Sequence, residues 1–194
     1  MLDRGGILSL SCTIESSFRN LVLEIPYEKI TISLICQAAN VSRTAFYSCF
    51  TNKEDLIEKL LDKDIVQPLR TLREILPTAK IKSAPQLLAE QLYLGFEKRK
   101  DYYTKISKIN RGRYIFTFLT NRLEAINTEI FKNVDLPAYE KQYAAFFFAA
   151  SNVTLITRWI ENGMDIEAST MASLYVKMTQ HYWNTTPVNK VKWD

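Results

Sequence analysis

Thr31-Ile-Ser-Leu-Ile-Cys-Gln-Ala-Ala-Asn40-Val-Ser-Arg43-Thr-Ala-Phe-Tyr-Ser-Cys-Phe50-Thr-Asn-Lys53 reads as two short helices joined by a tight turn. Ile32, Ile35, Cys36 and Ala39 recur at helical spacing and make one buried face. Asn40 tolerates the left-handed backbone that a sharp exit from a helix requires. Val41 plugs the turn, and Ser42 is placed to cap a second helix whose apolar side is Ala45, Phe46, Cys49 and Phe50. Left outside are Arg43, Thr44, Tyr47 and Ser48, all hydrogen-bond donors. The segment holds two basic residues and no acid. A short donor-faced helix set on a support helix has the dimensions that a DNA major groove accepts.

Outward from this segment the periodicity is helical throughout, predicting an all-α chain of about nine helices. Ile14, Phe18, Leu21, Val22 and Ile25 mark a helix over about 11–25, stopped at Pro26, with residues 1–10 as a loose arm or frayed turn. Thr31 caps the support helix. Its third helical position is Leu34 rather than an acid, so no capping box closes there. Asn52 and Asp55 open a connecting helix over about 53–67, which Pro68 should kink or end, and spacing resumes to Pro77. Residues 78–83 read as a linker. Ser83 and Gln86 open a helix to about Arg99 with Leu87, Leu88, Gln91, Leu92 and Phe96 on one face. Helices over about 101–109, 113–132, 138–162 and 167–183 follow, the last presenting Met171, Leu174, Tyr175, Met178 and Tyr182. The tail after Pro187 reads as unstructured. The organisation expected is a helix-turn-helix unit over 1–52, the connecting helix 53–67, and a C-terminal unit over 68–194.

Ile30-Thr31-Ile32, Val41-Ser42-Arg43, Phe46-Tyr47, Phe50 and Asn52-Lys53-Glu54-Asp55-Leu56 resemble the N-terminal signature of the tetracycline-repressor (TetR/AcrR) family of bacterial regulators, over about residues 14–60. Trp159-Ile160-Glu161-Asn162-Gly163-Met164 is similar to the end of the dimerisation helix in the branch that includes activators of dihydroxyacetone-kinase operons. The resemblance implies a DNA-binding regulator, by family default a repressor, acting on a pseudo-palindromic operator with possible small-molecule control. It implies Arg43 and Thr44 near base edges, and Tyr47, Lys53, Thr31 and Ser33 at phosphates, with Ser42 and Ser48 on the same surface. Ala45 stands where many relatives have Thr, Cys49 where His is common, and Asn40 where Gly is common; the first two imply fewer backbone contacts to DNA.

The 194 residues, 47% hydrophobic and 24% charged, describe an ordinary globular chain. No stretch approaches the roughly 20 apolar residues of a membrane span, and no basic region leads into a secretory segment, so a cytoplasmic protein is expected. Cys12, Cys36 and Cys49 lack metal-ligand spacing, and an odd number of thiols suits a reducing compartment. No metal site or cofactor is expected. His181 is the lone histidine, and no phosphate loop or nucleophile motif occurs, which argues against an enzyme. Net charge is +4, yet residues 1–66 carry seven basic side chains against nine acids. DNA binding therefore requires the acids of this part to face elsewhere.

Helix 138–162 interleaves small residues with aromatics on more than one side. With the last helix it offers a two-fold four-helix interface through Tyr143, Phe147, Ala150, Thr154, Met171, Leu174, Tyr175 and Met178, or else it is the central helix of one chain's core. Lys98, Arg99, Lys100, Lys105, Lys108, Arg111 and Arg113, interleaved by Tyr102, Tyr103 and Tyr114, form the densest basic run. It reads as a solvated face with half-buried tyrosines, or as an anion-binding patch. Phe96, Tyr103, Phe116, Phe118, Phe146 and Phe147 are candidates for an effector pocket and equally for plain core. Two other classes of function stay open: a dimeric helical adaptor, and a ligand-binding protein that does not touch DNA.

Overall fold

Each helix begins or ends where the chain supplies the chemistry to stop one. In the computed structural model, which describes residues 4–75, 84–109, 112–132 and 135–185, α1 (Arg4–Glu24) ends just ahead of Pro26 and a 3-10 turn (Tyr27–Lys29) leads on. Then come α2 (Ile32–Ala39), α3 (Arg43–Cys49), α4 (Lys53–Leu61), α5 (Gln67–Ile75), α6 (Ala84–Glu97), α7 (Lys100–Ser107), α8 (Gly112–Phe131), α9 (Ala138–Glu161) and α10 (Ala168–Thr185). The described residues contain no strand, and the architecture is all-α as the periodicity predicts. Counting 53–75 once, they form nine α-helices. The first helix already begins at Arg4, so most of the expected arm is helix. The predicted linker 78–83, the Ser83 cap, Arg111 and the tail after Pro187 lie outside the described residues.

α1, α2 and α3 bury one face each around Ile14, Phe18, Ile35 and Phe46. The same apolar cluster continues through Leu56, Leu60 and Ile65 of the connecting segment to Tyr93, Phe96, Ile156 and Trp159 of the C-terminal helices. There α8 lies along α9 and α6 along α10. α9 closes through Gly163, whose φ of 77° lets the Met164 amide reach back 2.7 Å to the Trp159 carbonyl.

Pro68 neither ends nor breaks the connecting helix. One π-helical turn, Asp62–Val66, joins α4 to α5, and the Gln67 amide donates to the Asp62 carbonyl five residues back. A proline ring needs clearance from the carbonyl four residues before it, here that of Asp64, and the wider turn supplies it. Gly95 of α6 sits directly against this turn. A Cβ on Gly95 would stand 2.7 Å from Ile65 Cδ1 and 3.1 Å from the Asp64 carbonyl oxygen.

Two predicted faces are rotated. In α6 the buried side is Ala89, Leu92, Tyr93 and Phe96, while Leu87 is exposed. In α10 Met171, Ala172, Tyr175 and Val176 are buried and Leu174 and Met178 are not. Apolar residues occur on both sides of each helix, and only the partner helix decides which side is covered.

Gly95→Val should lower stability by about 2–3 kcal/mol in urea denaturation, because overpacking against the π turn outweighs the gain in helix propensity. Unchanged stability would mean that α6 does not approach the turn this closely.

Candidate nucleic-acid interface

Three side-chain caps fix the ends of the short helices. The Leu34 amide donates to Thr31 Oγ1 (3.1 Å), the Ala45 amide to Ser42 Oγ (3.1 Å), and the Asp55 amide to Asn52 Oδ1 (2.7 Å). Asp55 answers by accepting from the Thr51 amide at 2.8 Å, a reciprocal closure of the α4 start. Between α2 and α3, Asn40 adopts φ 52° and ψ 47°, and the Val41 amide reaches the Cys36 carbonyl at 2.9 Å. This left-handed residue turns the chain so that Ser42 can start α3. The Cys36 thiol points at the Ser42 carbonyl at 3.9 Å, and burial raises its pKa against the opposing pull of Arg43, so it stays a neutral packing group.

α3 is seated by Phe46 and Phe50, both buried, with ring centroids 5.6 Å apart. Its other side carries Arg43, Thr44, Tyr47 and Ser48, all exposed, with Tyr47 at 48%. Thr31, Ser33 and Ser42 are exposed beside them. Arg43 Nη1 donates to Ser33 Oγ at 3.3 Å, which ties the first residue of α3 to α2. Ser48 Oγ donates to the Ala45 carbonyl at 2.7 Å.

Lys53 is placed differently from the implied phosphate contact. Its ammonium donates to the carbonyls of Ile30 (2.6 Å) and Tyr27 (3.3 Å) and lies 4.1 Å from the Tyr27 ring centroid. In this arrangement it fastens the link before α2 to the start of α4. Ser42 Oγ accepts the Ala45 amide in its cap, as Thr31 Oγ1 accepts the Leu34 amide, and each hydroxyl keeps its O–H as a donor. Lys59, which no local sequence pattern marks, donates to the Cys49 carbonyl at 2.7 Å and so closes the C-terminal end of α3.

Several acids of residues 1–66 are engaged by cations or a hydroxyl of this chain. Glu15 pairs with Lys63 at 2.6 Å, Asp55 with Lys59 at 3.1 Å, and Asp62 with Arg122 at 3.7 Å. Asp64 takes Arg19 at 2.7 Å and Arg99 at 3.1 Å, and Tyr27 donates to Glu54 at 3.4 Å.

The pocket candidates do not converge. Phe96 and Tyr103 are buried against one another at 4.7 Å between centroids, and the Tyr103 hydroxyl donates to Asp64 at 2.9 Å. Phe116 and Phe118 are partly buried, and Arg122 lies 4.9 Å over the Phe118 ring. Phe146 and Phe147 are about half exposed on α9. Phe118 instead borders an open groove of about 390 Å³ between α1, α4 and α8. Of the α9–α10 residues, Tyr143 (71% exposed), Phe147, Thr154, Leu174 and Met178 face outward and Ala150 is half-buried. Met171 and Tyr175 are buried within this chain, and the Tyr175 hydroxyl donates to the Phe148 carbonyl at 3.1 Å. In the basic run, Arg99 and Lys100 serve intramolecular bonds, Lys100 to the Met164 carbonyl at 3.2 Å. Tyr102 and Tyr103 are fully rather than half buried. The side chains of Arg113 and Tyr114 lie outside those described.

Residues 19–60 match the family described as bacterial regulatory proteins of the tetR type, and residues 84–181 match its transcriptional regulator C-terminal region. The chain belongs to the TetR family. It is a DNA-binding transcriptional regulator with a helix-turn-helix. No curated protein matched its sequence. Among solved structures it is similar to the dihydroxyacetone kinase operon activator DhaS, at 19% identity and TM-score 0.65, over 89% of this chain and 95% of that one. NalD of Pseudomonas aeruginosa, the secondary repressor of the MexAB-OprM multidrug efflux pump, shares 18% identity at TM-score 0.63 over 89% and 94%. A TetR regulator from Streptococcus agalactiae 2603V shares 20% at TM-score 0.60 over the same shares. At these identities the likeness extends to the fold. No described helix of this TetR-family chain is long and apolar enough to cross a membrane.

Asn40→Val should destabilise the chain by about 1–2 kcal/mol, since a β-branched residue is forced left-handed, while Asn40→Gly should leave stability unchanged or raised. Thermal unfolding of both variants checks this, and equal values for the two would contradict the turn geometry.

Proposed function

We propose that the protein is a cytoplasmic repressor that binds a pseudo-palindromic operator as a homodimer, one α3 per half-site. The observation that carries this reading is the division of α3 into a buried Phe46/Phe50 side and an exposed Arg43/Thr44/Tyr47/Ser48 side. Arg43 and Thr44 are assigned to base edges, and Thr31, Ser33 and Tyr47 to phosphates. A bidentate Arg43–guanine contact is worth about 1–3 kcal/mol of discrimination. Lys53 already binds the Ile30 and Tyr27 carbonyls, so its assigned share in phosphate binding is the smaller one. The functional units proposed are 1–52, the connecting helix, and the C-terminal part from 68.

The outward stripe of Tyr143, Phe147, Ala150 and Thr154, with Leu174 and Met178, is assigned to the dimer contact. Its spacing of three and four residues keeps it on one line of α9, and large apolar groups this exposed favour a partner. A second copy supplies the second recognition helix, about one DNA turn away. Repression follows from occupancy of the operator. DhaS is an activator and NalD a repressor, so the sign is proposed on the family default. A small molecule that prefers one tilt of the connecting helix would shift operator affinity. No catalytic role is assigned to any residue.

Mobility-shift titration against the chain's own upstream region, at two salt concentrations, tests the proposal. Wild type should shift the duplex less strongly at high salt. Arg43→Ala and Tyr47→Ala should abolish the shift with unchanged far-UV spectra. Binding unaffected by both substitutions would refute the assignment, and no shift by the wild type would favour the adaptor or ligand-binding alternative.

A further inference from the structure

The carboxylate of Asp64 sits in the π turn of the connecting helix and is nearly buried, at 7% exposure. One of its oxygens, Oδ2, accepts two hydrogen bonds and faces one further cation, from groups that lie far apart in the sequence. Arg19 Nη2 reaches it from α1 at 2.7 Å, Arg99 Nε from the α6–α7 corner at 3.1 Å, and the Tyr103 hydroxyl from α7 at 2.9 Å. α7 touches the same arginine again, since the Arg19 guanidinium carbon lies 4.8 Å from the Tyr102 ring centroid. The backbone of the same turn is the part that Gly95 approaches, so α6 bears on it as well. One residue therefore joins the helix that carries the recognition unit, the connecting helix and the C-terminal body.

We propose that Asp64 is a positioning residue for operator binding: its grip on Arg19, Arg99 and Tyr103 fixes the angle of α1–α3 to the C-terminal body and so sets the half-site spacing the dimer accepts. The proposal deepens the dimeric operator-binding reading and rests on it. An ordinary buried ion pair would contribute stability alone. This one spans the joint about which the recognition unit would swing, and its geometry is directional at two donors, Arg19 and Tyr103.

The joint is also poised to rearrange. Arg19 Nη1 and the Tyr102 hydroxyl are buried beside the pair with no hydrogen-bond partner among the described residues. Two guanidinium groups face one carboxylate there. Burial, first, and the nearby Asp64 charge push the Tyr103 phenol well above its ordinary value, so it remains a donor. Opening the joint would free the two orphaned donors to find partners while breaking two hydrogen bonds and the Arg99 ion pair at Asp64, so two arrangements of the same residues compete.

The test uses the full chain and a duplex selected by the wild type from a random library, together with the same duplex lengthened and shortened by one base pair between half-sites. The readout is the ratio of affinities for native and altered spacing, which a loss of folded protein does not move. Asp64→Asn and Tyr103→Phe should each narrow that ratio by at least about fivefold, the lower end of ordinary coupling between sites. Val153→Ala, a core truncation away from the joint, should leave it unchanged. Tyr103→Phe removes a single hydroxyl and keeps the question answerable where Asp64→Asn does not fold. A ratio unchanged in the folded joint variants would overturn the proposal while leaving operator binding intact. Failure of the wild type to select any duplex would overturn both readings.

Discussion

A seven-residue helix has no stability of its own in water, because nucleation costs more than one or two turns return. α3 exists only because Phe46 and Phe50 are buried beneath it. Burying two such rings contributes on the order of 3–6 kcal/mol before conformational entropy is charged against it. Everything proposed for the outer side depends on that seat. With the rings held down, Arg43, Thr44, Tyr47 and Ser48 have nowhere to face but solvent. The Ser42 cap, the left-handed Asn40 and the Lys59 contact at the Cys49 carbonyl then set where the helix starts, turns and stops.

The same economy governs charge. An N-terminal part with more acids than bases is a poor match for a polyanion if its charges are averaged over the surface. They are not averaged. Lys63, Lys59, Arg122 and the Arg19/Arg99 pair hold Glu15, Asp55, Asp62 and Asp64 along the α1, α4 and C-terminal side. α2 and α3 contain Arg43 and no acid. The exposed pairs contribute little to stability individually, and their consequence is the placement of sign.

How much of this was legible in the sequence follows from how local each signal is. The caps at Thr31, Ser42 and Asn52 and the turn at Asn40 are written within three or four residues, and the structure shows them where the sequence places them. The Asp64 joint gathers residues 19, 64, 99 and 103, and no periodicity links them. In the sequence Tyr103 is accordingly indistinguishable from a pocket candidate. Pro68 marks a disturbance in the sequence, but the π turn that accommodates it, with Gly95 packed against it, depends on contacts no local pattern records. In α10 the sequence puts Met171 and Leu174 on one face, and packing against α6 buries Met171 while leaving Leu174 exposed.

The most direct single measurement is photo-crosslinking from a benzoylphenylalanine placed at position 47 or at position 143 of the full chain, in the presence of the upstream duplex. The account predicts that position 47 crosslinks to DNA and position 143 to a second protein chain. Crosslinks from 143 to DNA, or from 47 only within protein, would contradict the assignment of the two faces.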